Sequence, residues 1–171
     1  MEIVLARRNE SPLGALALGL AAGALGTGAM TAYQELVARL RGGGEDGKPR
    51  RWKDAPAPAQ VAKRVLTGVF EKQVTLADVP RLTNVMHWAN GTGWGAAYGL
   101  YEGTAASPAL GAGLGFGTGV WAMSYAQLVP MGIYEPPWKY PPKELALDLS
   151  YHLVYGAATA VAYSALRRIF R

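Results

Sequence analysis

Residues Asn84 to Gly119 read NVMHWANGTGWGAAYGLYEGTAASPALGAGLGFGTG, and the fold turns on how this stretch is read. It holds two glycine series at four-residue spacing: Gly91, Gly95, Gly99, and then Gly111, Gly115, Gly119, with Gly113 and Gly117 beside the second. Residues four apart share a helix face, so each series makes a smooth groove along one helix. A helix in water avoids this composition, because each glycine costs about 0.8–1 kcal/mol relative to alanine. Between membrane helices, small residues let backbones approach closely, and GxxxG is a packing face. The break Glu102-Gly103-Thr104-Ala105-Ala106-Ser107-Pro108 supplies a turn. The stretch therefore predicts a transmembrane hairpin.

Charge patterning extends this reading to the whole chain. Half of the 171 residues are hydrophobic, and no charged residue occurs from Ser11 to Gln34, Leu82 to Tyr101, Gly103 to Tyr134 or Leu149 to Leu166. A hydrocarbon core needs about 20 mostly apolar helical residues, which all four tracts supply. The predicted spans are Pro12–Leu36, Leu82–Tyr101, Pro108–Val129 and Leu145–Leu166. The tract Pro12–Leu36 is long for a signal peptide and lacks a small-residue cleavage site before Tyr33-Gln34-Glu35, so it is expected to be retained. The formal charge of +5 comes from lysines and arginines beside the apolar tracts, which suits lipid headgroups rather than nucleic acid. The chain has no cysteine, which excludes disulfides, thiolate metal sites and a cysteine nucleophile.

A hydrophilic connector, residues 39–80, separates the first two spans. It carries Gly42-Gly43-Gly44, the basic run Lys48-Pro49-Arg50-Arg51-Trp52-Lys53 and the stiff Ala55-Pro56-Ala57-Pro58. Gln60 to Lys72 follows as an amphipathic helix with Val61, Val65, Leu66, Val69 and Phe70 on one side. Such a helix suits either the membrane surface or a cap on the bundle. A second connector, Tyr134 to Pro142, is proline-rich and contains Trp138; Trp52 and Trp138 are expected at the interface. The fold class predicted is all-α: one polytopic membrane domain over residues 1–171, with four transmembrane helices and a short interfacial helix.

The two halves resemble each other. His87, Gly91 and Tyr98 recur as His152, Gly156 and Tyr163 at a constant offset of 65. Met30-Thr31-x2-Gln34 recurs as Met123-Ser124-x2-Gln127, and Trp52-Lys53 as Trp138-Lys139. The chain reads as two tandem hairpin repeats, about 12–101 and 108–168. Each repeat crosses the bilayer twice, so both start in the same direction and are related by an axis along the membrane normal. Small-residue packing faces are expected at Gly19 and Gly23 in the first span, at Gly91, Gly95 and Gly99, and at Gly111, Gly115 and Gly119.

This topology gathers the polar residues at one depth. Gln34 and Glu35 lie late in the first span, and Gln127 late in the third. Asn84, His87 and Asn90 lie early in the second, and Asp148 and His152 early in the fourth. All fall on the connector side, leaving the opposite leaflet to glycine, alanine, leucine and hydroxyl residues. Asp148 and His152, four apart, are placed to pair, and Trp52 and Trp138 are placed to roof the pocket. Three readings remain open: simple hydrogen bonding between helices, a small-solute or proton site, and a bis-histidine haem with His87 and His152 as axial ligands. No other cofactor is expected.

Catalytic signatures are missing. Gly42-x4-Gly47-Lys48 resembles a phosphate loop, but Pro49 stands where serine or threonine should bind magnesium. The run Gly111 to Gly119 lacks the strand and downstream acid of a dinucleotide site. Two histidines without cysteine cannot build a zinc site, and Ser124 and Ser150 have no nucleophile elbow. The expectation is a non-enzymatic protein: a self-associating or accessory membrane subunit, or else a small transporter or proton-linked channel, or a haem-carrying subunit.

The His-x10-Tyr span from His87 to Tyr98, and the segment Met131-Gly132 through Pro136-Pro137 and Trp138 into a histidine-bearing last span, resemble the YagU-like inner-membrane proteins. The resemblance runs from about Asn84 to Arg168. It implies a bacterial inner-membrane protein with both termini cytoplasmic and carries over no catalytic residue. The long basic connector departs from that family's pattern. Arg7, Arg8, Arg167, Arg168 and Arg171 favour termini inside, whereas the other twelve basic residues lie on the connector side.

Overall fold

The computed structural model describes residues 11–42, 49–104 and 110–170. Arg7, Arg8, Arg171, most of the phosphate-loop lookalike, and Ala105 to Pro108 of the predicted turn lie outside the described residues. The fold is all-helical, with α1 Pro12–Leu40, α2 Ala57–Gly68, α3 Val79–Thr104, α4 Leu110–Leu128 and α5 Pro142–Ile169. Glu102, Gly103 and Thr104, read from the sequence as turn, complete the last turn of α3.

Local chemistry sets the helix ends. Ser11 caps α1, its hydroxyl accepting from Gly14 N–H at 3.1 Å, with Pro12 in the first turn. The chain leaves α1 through Gly42 at φ +91°, a conformation open to glycine. Thr75 and Asp78 form a reciprocal capping box in a 3-10 turn just before α3, with Thr75 N–H donating to Asp78 Oδ2 at 2.8 Å. Those contacts hold the exposed Asp78 carboxyl below the usual carboxylate range. Pro141 and Pro142 open α5.

The four long helices form an antiparallel bundle in which glycine positions the backbones. A Cβ on Gly23 would lie 2.6 Å from Gly95 Cα, and one on Gly19 would lie 2.9 Å from Gly99 Cα, so α1 and α3 touch backbone to backbone. Gly113 and Gly117 of α4 meet Gly156 and Ala160 of α5 in the same manner, a Cβ on Gly156 falling 2.7 Å from Gly117 Cα. The two seams correspond at two pairs of contacts, although α1 packs broadly on α5 while the backbones of α3 and α4 barely touch. Gly23 faces Gly95 as Gly113 faces Ala160, and Thr27 faces Gly91 as Gly117 faces Gly156. The 65-residue offset thus holds between α3 and α5. Between α1 and α4 the contact register is 90, not the 93 of the Met-x3-Gln match.

Gly111, Gly115 and Gly119, expected as the packing series, meet no atom within 4 Å of an added Cβ. The intervening series, Gly113 and Gly117, packs instead. α1 also packs on α5, where Thr159 fills the space over Gly26. The helices α3 and α4 meet through rings: Phe116 lies 4.8 Å from Tyr98 and 6.4 Å from Trp94, centroid to centroid.

Most buried side chains are small or hydroxyl-bearing, among them Ala15, Ala22, Thr27, Tyr98, Tyr155, Thr159, Ala160 and Tyr163, with Met30, Val79, Val120 and Glu102 as exceptions. No described leucine or isoleucine is buried, while Leu20, Leu25, Leu36, Val85, Leu100, Leu114 and Val161 are exposed. At 1.5 Å per residue the four long helices run about 28 to 44 Å, enough to match a core of about 30 Å. By length and hydropathy together, however, only α1 qualifies as a span. Among the described residues α3, α4 and α5 fall short of that measure, so it supports one of the four expected spans. Five glycines lower the hydropathy of the uncharged α4, and α3 and α5 carry histidine, tyrosine and terminal charges.

Candidate functional site

At the connector end of the bundle the seam between α3 and α4 opens into a cavity of about 320 Å³. The two histidine-bearing helices run parallel. The Tyr155 hydroxyl donates to Gly91 O at 2.6 Å and that of Tyr163 to Gly99 O at 3.3 Å. These two bonds, each joining residues 64 apart, keep α3 and α5 level. His87 and His152 therefore line the same cavity.

Six of the eight residues singled out from the sequence line it: Gln34, His87, Asn90, Gln127, Asp148 and His152. Asn90 and Gln127 are exposed and mark its open side. Asn84 and Glu35 do not line it. Asn84 is exposed on α3, and Glu35 points outward to Arg39 at 3.7 Å. Trp52 and Trp138 do not form the roof either. Trp52 packs on Ala55, Ala59 and Val79 with Lys63 over its ring at 4.7 Å, and Trp138 is 82% exposed. The roof comes from Ala57, Pro58 and Val61 on α2, with Met131 and Tyr134 after α4. Small residues three apart explain this: Ala59 and Ala62 on one face seat α2 tightly on the bundle, which brings its first turn over the opening.

The proton on each imidazole follows from its partner. His152 Nδ1 faces the Asp148 backbone carbonyl at 2.9 Å. A carbonyl only accepts, so Nδ1 carries the hydrogen and the neutral ring keeps a lone pair on Nε2. His87 Nε2 lies 3.2 Å from Thr31 Oγ1, whose own hydrogen is given to Thr27 O at 2.9 Å. Thr31 must then accept from His87 Nε2, leaving the lone pair on Nδ1. This does not suit His87 as a haem ligand, since the nitrogen that an axial histidine would normally present is occupied.

Asp148 is held by a separate set of donors. Its Oδ2 accepts from Trp121 Nε1 at 2.9 Å and from the Tyr125 hydroxyl at 3.1 Å. Its Oδ1 is 3.8 Å from His152 Nδ1, a distant contact beside the backbone bond. Tyr134, outside the helices, stacks near Tyr125 at 5.2 Å. Burial, together with the charges of Asp148 and Tyr140, pushes the Tyr134 phenol up from 10.0 to about 12.

Sequence reasoning missed several of these groups. Trp121 and Tyr125 lie on α4 at the spacing of a helix face, but nothing in their own neighbourhood pairs them with Asp148. Met30, Met86 and Met131 also line the cavity from three separate segments. At the far end Glu102 is buried beside Tyr98 and Arg167, which corrects the expectation of a leaflet without ionisable groups. Among the described residues, no group of three or more histidine, aspartate or glutamate side chains is placed to hold a metal. Comparison with family models, curated proteins and solved structures returned no match.

Proposed function

We propose that this chain is a four-span membrane protein that binds a small polar or charged solute in the cavity beneath α2, as a transporter or channel of the multi-pass, bacterial inner-membrane type. The observation that carries the reading is that both histidines and Asp148 face one opening at one end of the bundle. Two imidazoles beside one carboxylate suit the recognition of a solute better than the holding of helices together, which glycine contacts already achieve. The exposed leucines and valines on the outer faces support lipid as the surrounding solvent. The resemblance to the YagU-like proteins points to the same membrane.

The chain lacks cysteine, so a single Ser124→Cys on the cavity wall is a clean reporter. A water-soluble maleimide should label it from the connector side and leave Thr159→Cys, fully buried in the bundle, untouched. Ser124→Cys that resists labelling in a folded protein excludes a water-reachable pocket. A second reading, self-association or an accessory role, draws on the unpacked stripe Gly111, Gly115, Gly119 along α4. Native mass spectrometry from mild detergent tests it: a lone protomer with no companion subunit counts against it.

A further inference from the structure

The chain holds five methionines and two histidines. Three of those methionines, Met30 on α1, Met86 on α3 and Met131 after α4, line the cavity together with both histidines. Met123, by contrast, lies on the outer face of α4, 42% exposed. Methionine alone is an ordinary filler of irregular gaps. Here three thioethers from three segments share a wall with two imidazoles whose lone pairs, on His87 Nδ1 and His152 Nε2, are set by local hydrogen bonds. Thioether and imidazole together are a soft donor set, the kind that selects Cu(I) over hard cations.

Charge narrows the guest further. Among the described residues Asp148 is the one Asp, Glu, Lys or Arg on the cavity wall, and its Oδ2 is already anchored by Trp121 and Tyr125. A guest of single positive charge leaves the loaded cavity neutral, which low-dielectric surroundings favour. A divalent ion would leave an excess charge. We propose that the cavity is a binding site for a soft monovalent cation, Cu(I), with donors drawn from Met30, Met86, Met131, His87 and His152 and with Asp148 as counter-charge. This inference rests on the reading of the cavity as a solute site.

The test uses the full chain, purified in mild detergent without a histidine tag. It is titrated anaerobically with Cu(I) against bicinchoninate, with Ag(I) as an air-stable second probe. One Cu(I) per chain is expected, with both sulfur and nitrogen scatterers in its X-ray absorption spectrum. The double variant Met86→Leu/Met131→Leu, which keeps side-chain volume, should weaken binding at least about tenfold. Met123→Leu should leave it unchanged. No retained Cu(I), a spectrum without sulfur, or full affinity in the double variant overturns the inference. Because the spectrum is read on the unaltered chain, misfolding of a variant does not shield the proposal. If Ser124→Cys is labelled while copper is refused, the soft-cation inference falls and the pocket stands. If neither signal appears, both fall.

Discussion

His87 and His152 occupy equivalent places on parallel helices, yet Thr31 engages one ring through Nε2 and a backbone carbonyl engages the other through Nδ1. The two histidines are therefore held by different partners. Asp148 shows the consequence for stability. Trp121→Phe removes the indole donor while keeping an aromatic ring, and should cost about 1.5–3 kcal/mol in thermal unfolding, the range of a hydrogen bond to a charged group. Tyr134 makes a pH prediction. The folded chain holds its phenolic proton more tightly than the unfolded chain, because ionisation is pushed from 10.0 to about 12. The stability tied to this proton is intact below pH 10 and is lost as pH climbs through about 12. Ultraviolet titration of the folded protein should show a tyrosine absent from the ordinary transition near pH 10, and Tyr134→Phe should remove it. The residue types of this site were legible early, since histidine, asparagine and aspartate interrupt otherwise uncharged tracts. Their partners were not. Thr31 and Trp121 look like any other helix residue until α3 and α5 lie against them.

The helices differ in what their glycines do. Gly95 is closed by Gly19 and Gly23, so Gly95→Ala forces α1 and α3 apart. A loss of about 1–3 kcal/mol, the usual cost of overpacking, is expected in detergent unfolding. Gly115 has open space, and Gly115→Ala should keep or raise stability, since alanine is the better helix former. If both variants behave alike, the assignment of α4's faces is wrong. The sequence could not have separated these faces. Glycine stands at every second position from 111 to 119, so both stripes have four-residue spacing. The decision belongs to α5, whose Gly156 and Ala160 accept one stripe and leave the other outside. Connector helix α2 behaves similarly. Its sequence fits both a surface helix and a cap; Ala59 and Ala62 are buried, while Val65, and Val69 and Phe70 just past its end, stay exposed. Val65→Trp should show blue-shifted emission on anionic vesicles if that end enters the interface, and unchanged emission if it remains in water.

At the scale of the molecule, the bundle places both ends of the described chain, Ser11 and Phe170, opposite the connectors, because four long helices alternate in direction. In oriented vesicles a cysteine at Ser11 and one at Thr75 should be labelled from opposite sides, and labelling from one side would refute four crossings. The all-helical architecture and the approximate length of every long helix were settled by the amino-acid sequence alone. Uncharged tracts, proline and glycine punctuation, and the prohibition on unsatisfied backbone are properties of local chain chemistry. So was the level at which the histidines stand, once helices of even number were laid side by side. Which glycine stripe packs, which aromatic residues hold Asp148, that Trp52 and Trp138 leave the roof to Pro58 and Tyr134, and that three methionines meet two imidazoles belong to the tertiary structure. Each depends on the rotation of one helix about its axis against another, and that angle is chosen by the summed contacts of the whole bundle, which no single stretch of sequence contains.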